Sequence, residues 1–424
     1  MLFIVLSLIS QLWNCQTHTF IIINFDSFGC HIYSFVTMYV FGFFLTGDKP
    51  VRKTSFFKLW NTYVPFIVVG RPMTDLCWLC KQNNERIRRT ANLLDETKMD
   101  ALNHQMQHLK LVEQERRAYN EMVASSKAVA SAANITTLGP HQPKSLEGTM
   151  HYSFDFAQQV HLPSSPLQPG PIYFLVPRKC GIFGVCADGL PQQINYLIDE
   201  GMSSSKGSNM VISLFHHFLE KYGLGETHMQ LHCDNCSGQN KNKYLMWYLA
   251  WRVMSGLHME ISINFMPAGH TKFAPDWCFG LLKKRFRVSE VHCLKDLVIV
   301  VNSSTQKGIN RAQLVGTEGG QAIVPVFNWQ QFFSEHFRPV HGIKENFHFR
   351  FSEDAPGELF FKKKLGDVES TFKLTHDVEA VKDRLCGALP EIITPPGLST
   401  ERKEYLRRVV RPFVNLEQQD VLCP

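Results

Sequence analysis

The sequence predicts an α/β protein in which helices flank a mixed sheet, with a helical module before the sheet and an α+β extension after it. Three observations support this fold class. Residues 85–127 have apolar side chains at three- and four-residue spacing without Pro or Gly, which predicts a long amphipathic helix or a helical hairpin. Strand-like and helical runs then alternate. The last part returns to strands and loops before a final helical run, TERKEYLRRVV.

The order of the central elements makes the fold class more specific. MHYSFDF alternates apolar and polar residues as a half-buried strand does. The remaining elements are the strand-like runs IYFLV and GIFGVCA followed by the segment QQINYLI, a helix over 205–223, the strand HMQLHC, a helix over 240–254, the strand MEISINFM and a helix that Pro275 begins. Strands, helix, strand, helix, strand and helix is the element order of the RNase H fold, in which a three-stranded meander comes first.

Breaks in composition divide the chain into four predicted parts. The Pro-, Gly- and Ser-containing linker TTLGPHQPKSLEGT marks a boundary near Lys144. The parts are a hydrophobic segment over 1–50, a helical module over 51–145, an RNase H-like core over 146–290 and an α+β extension over 291–424.

The apolar residues 1–47 have three interpretations: a signal peptide, a membrane anchor, or a segment outside the working protein. We favour the third, because the rest of the chain reads as a soluble protein that handles nucleic acid. We therefore expect a nuclear protein, and a membrane or secretory one only if residues 1–47 are genuine.

Composition permits a DNA-binding protein without demanding one. Hydrophobic residues make up 44% of the chain and charged residues 19%, which is ordinary for a globular protein. The net charge is +6, and such a mild excess is compatible with a nucleic-acid partner. Most of the 12 cysteines lie in apolar runs, which indicates buried free thiols in a reducing compartment.

Three aspartates occupy the positions where the RNase H arrangement carries its metal-binding acids. Asp155 lies on the first strand, Asp234 at the end of the fourth, and Asp276 at the start of the helix after the fifth. Mg²⁺ and Mn²⁺ prefer oxygen ligands, and a pair of such ions supports phosphodiester cleavage. Each acid has an alternative: a solvated strand position for Asp155, a polar turn for Asp234, and stabilisation of a helix N-terminus for Asp276.

Polar and basic residues surround the second and third acids. In HCDNCSGQNKNKY, phosphate or metal-bound water would contact Asn235, Gln239, Asn240 and Lys241. Near the third acid, His270 is a cofactor-binding candidate. The candidates for contacting a phosphate backbone there are Lys272, Lys283, Lys284 and Arg285. A charge run on a helix is otherwise simply a solvated face.

Four segments carry a resemblance to a known family: FDFAQQVHLP, INYLIDE, HCDNCSGQNKNKYLMWYLAWRV and GHTKFAPDWCFGLLKKRF. Together they resemble a family of uncharacterised, transposon-derived proteins of invertebrate and fish genomes, over residues 51–424. The last segment also resembles the end of mariner-type transposase cores, where a proline-led turn delivers the final acid. The resemblance implies an RNase H-like central domain of the transposase type.

A second group of residues has the chemistry of a zinc site. Cys77 and Cys80 form a Cys-x-x-Cys pair, and His104 and His108 follow at the i, i+4 spacing that puts two imidazoles on one helix face. Together they would make a Cys₂His₂ site. The alternatives are buried thiols and histidines on a helix surface.

These observations lead to one functional hypothesis and a rival. The hypothesis is a transposase-derived protein that cleaves or transfers DNA strands with Mg²⁺ or Mn²⁺ and has no small-molecule substrate. DNA and a second copy of the chain are its candidate partners. The rival is a domesticated DNA-binding or scaffold protein that keeps the fold without chemistry.

Overall fold

The computed structural model describes residues 58, 62, 76–90, 92–202 and 206–424. The predictions for residues 1–47 therefore lie outside the described residues. In the part of the chain that is described, no helix is long and apolar enough to cross a bilayer. Cys77–Pro424 is one compact unit.

Within residues 77–424 the strands form a nine-stranded mixed sheet. Its strands are β1 Leu146–Leu162, β2 Arg178–Ala187, β3 Gln192–Asp199, β4 Glu226–Cys233, β5 Glu260–Phe265, β6 Asn310–Leu314, β7 His348–Ser352, β8 Glu358–Lys362 and β9 Ser370–Lys373. Their order across the sheet is β6-β3-β2-β1-β4-β5-β7-β8-β9.

The direction of the strands changes across the sheet. β1, β2 and β3 form an antiparallel meander. β4 runs parallel to β1, and β5 runs parallel to β4. β6 adds in parallel at the β3 edge, whereas β7, β8 and β9 extend the other edge antiparallel. The predicted mixed α/β sheet is therefore confirmed.

The helices cover the sheet from both faces. They are α1 Trp78–Thr90, α2 Asp95–Ala132, α3 Ser208–Tyr222, α4 Lys243–Met254, α5 Ala274–Phe286, α6 Leu294–Asn302, α7 Trp329–Ser334, α8 Val378–Leu385, α9 Thr400–Tyr405 and α10 Gln419–Leu422. α1 and α2 correspond to the helical hairpin that residues 85–127 predict.

Alternation along β1 explains which helices lie on which face. Tyr152 and Phe154 are fully buried against α3, where Tyr152 contacts Phe218 edge-on. Burying each such ring contributes about 1.5–3 kcal/mol relative to leaving it exposed. Asp155 points to the opposite face, because successive side chains of a strand alternate. Phe279 of α5 packs on that face.

Gly184 in β2 determines how closely α5 approaches the sheet. It pairs with Asp155 across the β1–β2 ladder. A Cβ atom at Gly184 would lie 2.7 Å from the ring of Phe279. Glycine therefore allows α5 to lie close to the sheet beside Asp155.

Gly184→Ala is expected to destabilise the fold by about 1–3 kcal/mol, because the added methyl group overpacks the contact with Phe279. Gly280→Ala is the matched control, since a Cβ there would meet no atom within 4 Å. Alanine in a helix interior should stabilise α5 by up to about 1 kcal/mol. Thermal melting of both variants checks this, and equal melting temperatures would contradict the tight contact.

The apolar run IYFLV is not a strand, contrary to the prediction. Residues Gly170–Phe174 form a 3-10 turn between β1 and β2. Tyr173 and Phe174 are 77% and 83% exposed. Prolines at positions 169, 171 and 177 bracket the run. Because proline lacks the N–H that a sheet ladder needs, the run has no strand partner despite its apolar composition.

Candidate functional site

Asp155 and Asp234 lie side by side at one end of the central parallel strands. Phe154 pairs with Cys233 in the β1–β4 ladder. The residue after each of these is an aspartate, and neighbouring strands lie about 4.8 Å apart. Both aspartates are largely removed from solvent.

Asp276 lies in the first turn of α5, beside Pro275. Its carboxylate accepts a hydrogen bond from the Phe273 backbone N–H at 2.9 Å. An acid at this position satisfies a free N–H of the first turn and stabilises the helix N-terminus. Unlike the other two acids, Asp276 is exposed.

The three acids are close enough to influence one another electrostatically. Burial, with the negative charge of Asp234 and more weakly that of Asp276, raises the pKa of Asp155 to about 7. Burial also raises the pKa of Asp234, and the charge of Asp276 adds to this effect. Like charges held together resist ionisation unless a cation balances them. The structure thus brings the three predicted acids into one electrostatic group.

Asp155→Asn is expected to stabilise the protein above neutral pH when no divalent ion is added. The pKa of Asp155 is about 7 in the folded state against 3.8 for a free side chain. Protonated Asp155 therefore makes its full contribution to the free energy of unfolding below pH 4, and this contribution is lost as the pH rises to about 7. The loss is on the order of 2–4 kcal/mol. The variant should melt higher than the natural chain at pH 8 and like it at pH 4, whereas an equal difference at both would contradict the assignment.

Amide groups hold the carboxylate of Asp234 in place. The Asn240 side-chain amide and the Cys236 backbone N–H both donate to Oδ1 of Asp234. Asn235 donates instead to the Met266 carbonyl oxygen, which joins the ends of β4 and β5. The side chain of Asn242 caps the N-terminus of α4. Of the predicted amides, Asn240 contacts an acid directly, Asn235 braces the loop, and Gln239 is half-buried.

Lys241 is buried, contrary to its predicted role as a phosphate contact. Its Nζ lies 4.0 Å from the centre of the Phe347 ring. The same Nζ donates to Asn235 Oδ1 at 3.0 Å and to the Lys344 carbonyl oxygen at 3.1 Å. Burial lowers the pKa of Lys241 to about 8. Its ammonium therefore holds the loop after β4 against the segment before β7. The other predicted cations reach the surface: Lys272, Lys284 and Arg285 are exposed, and Lys283 is half-buried.

A second cluster contains Cys77, Cys80, His108 and His270. Cys77 immediately precedes α1 and Cys80 lies in its first turn. His108 lies on α2, and His270 lies in the turn between β5 and α5. Three separate segments therefore converge on one point.

The separations within the cluster suit a single tetrahedral ion. Cys77 Sγ lies 3.4 Å from His108 Nε2, Cys80 Sγ lies 3.5 Å from His270 Nε2, and the two Nε2 atoms are 3.2 Å apart. Metal–sulfur bonds of about 2.3 Å and metal–nitrogen bonds of about 2.0–2.1 Å place neighbouring ligands about 3.3–3.8 Å apart. Burial lowers the pKa of His108 and the pKa of His270, which favours the neutral imidazole that metals bind. The cluster could hold a metal ion.

His104 is not a member of the cluster, and His270 takes the place predicted for it. His104 Nδ1 lies 2.9 Å from the Asp100 carbonyl oxygen, and its side chain is 55% exposed. Residues i and i+4 share a helix face only approximately, and here only His108 points to the thiols. His270 was singled out near the acids by sequence, but its partner Cys80 is 190 residues away.

Two contacts seat the His270 turn against the helical hairpin. Gly269 has φ +78°, and a Cβ atom there would lie 2.4 Å from the Cα of Cys77. Only glycine fits such a conformation at such a distance without strain. Arg116 of α2 donates to the backbone oxygens of His270 and Lys272. The turn that carries His270 continues directly into α5, so the cluster and Asp276 share one segment.

A row of buried polar groups lies between α2 and the sheet, and sequence reasoning missed it. His151 Nδ1 lies 2.6 Å from Asp188 Oδ2, and His151 Nε2 lies 2.7 Å from His232 Nδ1. Farther along, His348 Nε2 lies 3.2 Å from Glu115 Oε1. Burial lowers the pKa of His232 well below its usual value. The only signal in the sequence was histidine on the polar face of two predicted strands.

Fold and site together define a mixed α/β protein with a Cys/His cluster that could hold a metal ion and a separate group of three acids. The family described as "Domain of unknown function (DUF7869)" matches residues 177–367, which is less than half of the 424-residue chain. The match includes Asp234, His270 and Asp276 but not Asp155 or Cys77. No curated protein matches the chain, and no solved structure matches it either.

Proposed function

We propose that β1–β5 with α3, α4 and α5 form an RNase H-like core in a transposon-derived protein. The strand order β3-β2-β1-β4-β5 supports this proposal, because an antiparallel meander is followed by two parallel strands. The positions of the helices support it too: α3 joins β3 to β4, α4 joins β4 to β5, and α5 follows β5. The additional strands β6–β9 lie at the edges and leave this order intact.

The activity we propose is metal-dependent cleavage or strand transfer at DNA phosphodiester bonds. The observation that carries it is the position of Asp155 and Asp234 directly after the paired residues Phe154 and Cys233, within reach of the charge of Asp276. Burial and the neighbouring negative charges raise the pKa of Asp155 and the pKa of Asp234, and a divalent cation would offset that charge. Carboxylate oxygens are the ligands that Mg²⁺ and Mn²⁺ prefer, so these residues would hold such an ion. A bound pair of such ions would activate the attacking oxygen and stabilise the leaving one.

The cluster of Cys77, Cys80, His108 and His270 would hold zinc in a structural role. Four protein ligands of the Cys₂His₂ type close the coordination sphere, which is typical of structural and not of catalytic zinc. By joining α1 and α2 to the turn before α5, this ion would help position Asp276. DNA would meet the exposed cations Lys272, Lys284 and Arg285, with Lys283 beside them.

One observation favours the rival, a DNA-binding or scaffold protein without chemistry. Asp276 is exposed and its carboxylate already accepts the Phe273 N–H, as a helix-stabilising acid would. In that case Asp276 stabilises α5, and the chain binds DNA through its basic surface alone.

A cleavage assay separates the two proposals. The full chain, purified with its zinc, is incubated with labelled branched or terminal-repeat DNA with Mg²⁺, with Mn²⁺, or with neither. The proposed activity predicts cut or joined products only when one of these ions is present. Salt-sensitive DNA binding without products in any of the three would support the rival, and absence of both products and binding would contradict both.

A further inference from the structure

One face of α5 presents an exposed tryptophan directly after Asp276. Trp277 is 53% exposed, whereas Trp247, Trp251 and Trp329 are buried in the core. Among the described residues, no ring stacks on its indole and no cation lies over it, in contrast to Trp78, over which Lys81 lies. An aromatic ring that faces solvent offers a face on which a nucleic-acid base can stack.

On the rest of this helix face, a glycine leaves no side chain beside the indole, and cations follow farther along the helix. Trp277, Gly280, Lys284 and Arg287 fall within one stripe of the helix, by their three-, four- and seven-residue spacing, and Gly280, Lys284 and Arg287 are exposed. A side chain at Gly280 would meet no atom within 4 Å, so open space adjoins the indole there. The only acidic residue of α5 is Asp276, at its first turn.

The dimensions of this stripe suit a nucleic-acid strand. Seven residues of helix separate Trp277 from Lys284, a rise of about 10 Å. The stripe is therefore long enough to hold a base at one end and a phosphate farther along the same strand at the other. An aromatic ring at one end and cations at the other is the combination that binds single strands, by base stacking and by phosphate contacts.

We infer that the stripe Trp277–Gly280–Lys284–Arg287 binds single-stranded DNA next to the acid site, with an unpaired base stacked on Trp277. A duplex does not offer the same contact, because its bases are stacked on one another and are available only after one is turned out. The inference rests on the proposed function, because it takes the acids as the place where DNA is processed. The inference adds that the DNA strand at the acids is unpaired.

Binding measurements with defined DNA test the inference. Fluorescein-labelled oligo(dT) and a duplex of the same length are titrated with the full chain, without Mg²⁺ or Mn²⁺, and fluorescence anisotropy gives Kd. Trp277→Ala is expected to weaken oligo(dT) binding about tenfold, the order expected for losing one stacked base, and to change duplex binding little. Trp277→Phe should keep most of the affinity. Lys284→Ala should weaken both ligands and reduce the salt dependence by about one ion.

The matched control is Tyr173→Ala, which removes an aromatic ring that is 77% exposed and lies outside the stripe. It should leave both affinities unchanged. The inference is overturned if Trp277→Ala binds oligo(dT) normally, if it loses duplex and oligo(dT) binding equally, if Tyr173→Ala loses as much, or if the natural chain does not bind oligo(dT) at low salt. The binding titrations contain no divalent ion, so their result does not depend on cleavage. If oligo(dT) binding depends on Trp277 but the cleavage assay gives no products, the proposed activity is refuted and the inference is supported.

Discussion

Asp234→Asn is expected to abolish the proposed metal-dependent DNA cleavage while the fold remains. The change is nearly isosteric and removes the negative charge that would hold the metal. Losing a group that only supports a metal ligand typically costs ten- to a hundredfold, so losing the ligand itself should cost more than about a hundredfold. Without metal, the variant should melt at or above the temperature of the natural chain, because the carboxylates repel one another less. Product formation over time, with melting curves, checks both statements.

Two further variants serve as comparisons for Asp234→Asn. Asn240→Ala removes the amide that donates to Asp234 and should lower activity about ten- to a hundredfold, as supporting groups do. Asp383→Asn makes the same chemical change at an exposed position on α8 and should have no effect. Equal activity of Asp234→Asn and the natural chain would remove Asp234 from the site.

His108→Ala is expected to prevent binding of the proposed zinc ion and to loosen the segment that leads to Asp276. It removes one of four ligands, and structural zinc sites contribute directly to folding free energy. The apolar core of the sheet should stay folded, so the loss should be local to α1 and the turn around His270. The measurements are zinc content by mass spectrometry, melting temperature, and the rate of limited proteolysis. Cleavage activity should fall as well, since that turn leads into Asp276.

The matched control for this prediction lies four residues away on the same helix. His104→Ala removes an exposed imidazole outside the cluster, so it should keep the zinc and change stability by less than about 0.5 kcal/mol. If His104→Ala lost the zinc, or if His108→Ala retained it, the ligand set would be wrong. If His108→Ala had reduced zinc content but unchanged DNA cleavage, the cluster would not be what positions Asp276.

Local patterns in the sequence were enough to predict the elements that carry the three acids. The alternation of MHYSFDF determines that Asp155 and Phe154 point to opposite faces of β1, because successive strand residues alternate whatever the strand packs against. The polar residues after HMQLHC indicate where β4 ends, and Pro275 indicates where α5 begins. Each of these signals depends only on neighbours within a few residues, so it can be recognised without the fold.

The tertiary structure decided how these elements come together. His270, and not His104, meets Cys77 and Cys80, because Gly269 and Arg116 dock the turn after β5 against the helical hairpin. Lys241 is enclosed by aromatic rings although its sequence context is polar. Periodicity and composition describe what a residue prefers, whereas its partner is set by packing between segments that lie more than a hundred residues apart in the chain.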